Sequence, residues 1–144
     1  MINDEEILAG LVAFLKARKT TLSAAVEVIG RGDTVPDEGA SLHVSGFVTP
    51  VTGPLHYAEI DLTAEVPALE SEAAATLRAA TGFIIAALPA DQTQKAALHS
   101  AIQTATGNKV TVHYYHHAAP QPADGDEDTY ARAKHLRIAI QRTA

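Results

Sequence analysis

The chain has 144 residues with 17 acidic and 11 basic side chains, a formal charge of -6, and its length fits one domain over 1–144. An acidic chain without a basic stripe repels phosphate backbones at long range, which argues against sequence-specific nucleic-acid binding. Hydrophobic residues reach 47% but aromatics only 5%, with neither Trp nor Cys, which excludes disulfides and cysteine-ligated metals and predicts a core of many small contacts.

Asn3 or Asp4 can cap a first helix over 4–18, in which Ile7, Leu8, Leu11, Val12 and Leu15 form one apolar stripe broadened by Phe14. Asp4, Glu5 and Glu6 suit its positive end, and Lys16, Arg18 and Lys19 suit and stop the other. The acidic N-terminus is unlike a signal peptide, and no apolar run approaches the roughly 20 residues of a membrane span. A short strand is expected over 24–29, broken at Gly30-Arg31-Gly32-Asp33; the Arg-Gly-Asp triplet is read as a chance match to an adhesion motif. Residues 41–49 alternate as a strand with Gly46 as a candidate bulge, Pro50 to Pro54 form a loop, and 55–66 alternate again. The second strand of this hairpin puts His56, Ala58, Ile60, Leu62 and Ala64 on one face and Tyr57, Glu59, Asp61, Thr63 and Glu65 on the other.

Pro67 ends that strand, and a helix over 70–88 follows with Leu77, Ala80, Ile84 and Leu88 as its stripe, widened by Phe83 and Ile85 and interrupted by Gly82. A third helix, 92–105, has Ala97, Leu98 and Ile102 as its apolar face and stops at Gly107-Asn108. Residues 109–117 read as a strand, 118–129 as an exposed acidic, proline-rich loop, and 130–141 as a last strand. In that strand Leu136, Ile138 and Ile140 are expected to point inward and Arg132, Lys134 and Gln141 outward. The predicted fold is α+β: a mainly antiparallel sheet of about five strands packed against an N-terminal helix and a central helical pair.

Seven histidines raise the question of a metal site. Strict alternation puts His113 and His117 on one strand face, about 13 Å apart, and His116 on the other. That separation predicts no metal site. Glu59 and Asp61, about 7 Å apart on one face, lack an acid-base partner in the sequence. They read, with Glu65, as a solvated row or a protein interface. The run Asp124, Asp126, Glu127, Asp128 fails the spacing of a calcium loop, so Asp126 and Asp128 join the candidate interface. Serines outside a nucleophile-elbow context and a lone Gly30-Arg31-Gly32 supply no catalytic or phosphate-binding motif. No cofactor and no catalytic residue is expected.

The opening helix from Ile2 to Lys16, the hairpin segment Ile60-Asp61-Leu62-Thr63-Ala64-Glu65-Val66 and the closing Arg132-Ala133-Lys134-His135-Leu136-Arg137-Ile138-Ala139-Ile140 give an element order that resembles the tail terminator and neck (tail-completion) proteins of long-tailed bacteriophages. The likeness is one of arrangement across most of the chain, so no individual residue inherits a role from it. It implies a non-enzymatic virion protein, assembled in the host cytoplasm. Its subunits would form a homo-oligomeric, hexameric ring contacting tail-tube and head–tail connector proteins, with DNA passing through the ring. The alternative is a small soluble ligand- or protein-binding module.

Overall fold

Asn3 caps the first helix, its side-chain oxygen accepting the Glu5 N–H at 2.8 Å, and α1 (Asp4–Leu22) follows. The computed structural model describes residues 3–22, 26–30, 40–67, 73–89, 92–117, 124–125 and 129–142. The predicted stripe of Ile7, Leu8, Leu11, Phe14 and Leu15 is buried. The cationic segment does not stop the helix as expected. Thr20 and Thr21 donate back to the Lys16 and Ala17 carbonyls at 3.4 and 3.2 Å, and Arg18 Nη2 instead reaches the Ala86 carbonyl of another helix at 3.3 Å.

β1 (Val26–Gly30) runs parallel to β2 (Ala40–Thr52), which forms an antiparallel hairpin with β3 (Leu55–Pro67). The connection is tighter than the predicted five-residue loop. Only Gly53 and Pro54 turn, with Gly53 at φ 54°. Pro50 lies inside β2 opposite His56. It is tolerated because its missing N–H falls on the outer edge of β2, the side toward which the Val48 N–H, two residues earlier, points to Asp4 Oδ1 at 3.1 Å. Gly46 stays in register with Ile60, so it is no bulge; a Cβ there would overlap the Glu59 carbonyl.

Two helices follow, α2 (Ala73–Ala87) and α3 (Gln92–Ala105), then β4 (Val110–His117), the two-residue β5 (Asp124–Gly125) and β6 (Thr129–Arg142). Strand order is β1-β2-β3-β6-β4, with β5 paired to the start of β6. The sheet is thus α+β and mostly antiparallel, with β6 between β3 and β4. Leu42, Val44, Ile60, Leu62, Leu136, Ile138 and Ile140 are buried from one sheet face under α1, α2 and α3. Gly10 lets α1 and α3 cross closely: a Cβ there would lie 2.8 Å from Ile102 Cα and 3.0 Å from the Ala101 carbonyl.

Several side chains depart from expectation. Ile85 is 53% exposed and Ala97 is exposed, because α2 meets the core along Leu77, Ala80 and Ile84 and α3 along Leu98 and Ile102, and those two positions lie off these lines. Lys134 is buried rather than outward. It shares the alternation of Leu136 and Ile138, stands opposite Leu62, and burial lowers its pKa. Arg132, on the same alternation, is half-buried, and so is Gln141. A register shift between Val112 and Tyr114 makes His113 an extra residue. Beyond that bulge the alternation of β4 reverses, and the backbone of His117 pairs with Leu136.

Candidate functional site

The sheet face opposite the helices is not covered by any described element, and its middle strands set three rows of side chains across it. The register aligns Ser45, Asp61 and His135 in one row, Phe47, Glu59 and Arg137 in the next, and Thr49, Tyr57 and Ala139 in the third. Carboxylates on β3 therefore stand directly opposite cations on β6, the favourable arrangement for a cross-strand pair. His135 Nδ1–H donates to Asp61 Oδ1 at 3.1 Å and Nε2–H to Glu59 Oε2 at 2.6 Å. Arg137 Nε donates to the other Glu59 oxygen at 2.6 Å. The Arg137 guanidinium also lies 5.0 Å from the Tyr57 ring centroid, within cation–π range.

Donation from both ring nitrogens requires the doubly protonated imidazolium. The carboxylates favour it: hydrogen bonding to Asp61, with a further contribution from Glu59, raises the His135 pKa above its ordinary value against the opposing effect of burial. In that state neither nitrogen is free to take a proton from a bound molecule. Two carboxylates and two cations leave the patch formally neutral, and loss of the His135 proton leaves one excess negative charge.

These residues, with Ser45, Phe47, Thr49 and Tyr57, line an open concavity of about 660 Å³. Phe47 stands at its side 58% exposed. Glu65 lies further along the same face, with its Oε2 3.8 Å from His43 Nε2, and His43 also contacts Ser41 Oγ at 3.1 Å.

The expected acidic row is therefore real as a row, but each member has a histidine near it: His135 for Glu59 and Asp61, His43 for Glu65. Asp126 and Asp128 lie outside the described residues. Sequence reasoning missed the cationic half of the patch. His135 and Arg137 have the same two-residue spacing as Glu59 and Asp61, which an antiparallel pairing of the two strands converts into facing charges. Elsewhere, His113 bonds the Gln141 side-chain oxygen at 2.7 Å and His56 the Pro54 carbonyl at 3.0 Å. Among the described residues no three His, Cys, Asp or Glu side chains come together as metal ligands. No protein-family model matches the chain, and no curated protein is significantly similar to it.

Proposed function

We propose that this protein is a non-enzymatic structural subunit that assembles with copies of itself into a ring, of the kind formed by bacteriophage tail terminator or neck proteins at the junction of tail and head. The observation that carries the reading is the sheet face around Phe47, which no described element covers. It presents an exposed phenyl ring, Phe47, beside carboxylates and cations that neutralise one another. A partner can cover such a face without stranding a net charge, which is the condition for burying ions at an interface.

The sheet edges support contact through this face rather than through strand addition. On β2 the Val48 N–H is taken by Asp4 and Pro50 has none to offer, while β4 carries a bulge; both devices blunt edges against pairing. The order of helix, strand, hairpin, helical pair and closing strands adds the resemblance to ring-forming phage proteins. A charge of -6 suits a conduit along which DNA slides without adhering.

Light scattering over a concentration series, with negative-stain microscopy of the concentrated protein and of virions whose genome encodes it, tests the proposal. The expected result is concentration-dependent association, closed rings, and the chain present in the particles. A chain that stays monomeric at every concentration and is missing from virions refutes it. The 660 Å³ concavity favours one rival, a ligand-binding module, which a monomer saturably binding a small molecule there would establish.

A further inference from the structure

We propose that copies of this chain associate head to tail, with the bare sheet face around Phe47 of one copy seated on the outer face of α2, at Arg78, Gly82 and Ile85, of the next. This rests on the self-assembly reading and names its contact. Phe47 at 58% and Ile85 at 53% are the two most exposed large hydrophobic side chains among the described residues. They sit on opposite layers of the molecule, one on the uncovered sheet face and the other on a helix whose Leu77, Ala80 and Ile84 face the sheet. Each has an exposed ionised side chain beside it, of opposite sign; on the sheet side it is Asp61, whose carboxylate is 58% exposed while its Oδ1 bonds His135. Asp61 lines the concavity with Phe47, and Arg78 is exposed on the same side of α2 as Ile85.

Gly82 lies between Arg78 and Ile85, four residues from one and three from the other, hence on their face of the helix. A glycine inside a helix weakens it and persists where something requires the missing side chain. At Gly10 the requirement is internal, since a Cβ would meet the α3 backbone. Among the described residues a Cβ at Gly82 would meet nothing within 4 Å, and its φ is not in the left-handed region. No described residue requires this glycine. A partner does, if a ring lies flat on it.

The two patches match in scale. Phe47 and Asp61 are diagonal cross-strand neighbours, roughly 7–8 Å apart, and Gly82 lies about 6 Å along the axis from Arg78. A phenyl ring seated on Gly82, against Ile85, therefore brings the Asp61 carboxylate within reach of the Arg78 guanidinium. Because the two patches differ and lie on opposite faces, the contact is heterologous and repeats from copy to copy until it closes.

Sedimentation velocity on the full chain tests this with Phe47→Ser, Gly82→Leu and their equimolar mixture, after thermal melts establish that both variants fold. Each variant alone should lose association at least tenfold relative to wild type. The mixture should form a dimer and stop there, because one intact hollow meets one intact phenyl. Unimpaired association of either single variant, or an equimolar mixture that stays monomeric, overturns the proposal while leaving self-assembly standing. A wild-type chain that never associates removes both.

Discussion

The same substitution at two helix glycines should have opposite signs. Alanine is favoured over glycine inside a helix by roughly 0.5–1 kcal/mol. At Gly82 no described residue lies within 4 Å of the added methyl, so Gly82→Ala should realise most of that gain and raise the melting temperature by roughly 2–4 °C for a chain of this size. At Gly10 the methyl would stand 2.8 Å from Ile102 Cα and 3.0 Å from the Ala101 carbonyl. Those are backbone atoms, so α1 and α3 must separate by several tenths of an ångström, and overpacking of this sort costs about 1–3 kcal/mol. Gly10→Ala should therefore be destabilised by about 1 kcal/mol net. Urea unfolding followed by circular dichroism gives both values. It should be done at high dilution, because association would add its own stabilisation. Equal stabilisation by the two substitutions would refute the close crossing of α1 and α3.

Asp4→Ala removes the acceptor of the Val48 N–H and a carboxylate from the helix N-terminus; a loss of about 1–2 kcal/mol is expected, with increased aggregation by light scattering as the β2 edge is uncovered. An unchanged melt and unchanged scattering would show that the contact contributes nothing. The raised pKa of His135 means that its contribution to stability is complete below the unfolded value of about 6.5 and is lost as pH rises through the folded value. With the His135 side chain 40% exposed the contribution is limited to about 1 kcal/mol. His135→Gln should flatten the fall in unfolding free energy as pH rises above about 6.5, and parallel wild-type and variant curves would sink the assignment. His99 works in the opposite sense: burial, followed by the His113 and Lys95 charges, lowers its pKa, so its contribution is lost as pH falls.

Alternation and helical spacing made much of the layer structure legible. The hairpin faces, the buried stripe of α1 and the core positions Leu136, Ile138 and Ile140 all follow from periods of two or 3.6. The departures fall where side-chain polarity conflicts with that period. Lys134 is charged, yet its two-residue spacing from Leu136 puts it on the buried side. Ile85 and Ala97 are apolar, yet both are exposed. Strict alternation failed at His113 because a bulge leaves no mark in composition. The site was half legible: Glu59 and Asp61 were visible as a row, but their partners on β6 depended on a strand order in which a distant segment enters beside β3. Sequence adjacency carries no information about that pairing.

That strand order has a consequence for how the protein is made. β6 follows every other described strand in sequence yet lies between β3 and β4. While the ribosome is still translating residues 129–142, the hairpin and both middle helices already exist as chain, but β3 has no inner neighbour and β4 has nothing to pair with. Such non-local closure is slow and comes late, so nascent molecules wait as incomplete sheets in need of shielding from one another. A product cut short before β6 cannot complete the sheet at all. It is therefore never a folded copy of this domain, and the topology itself screens out chains that lack the strand.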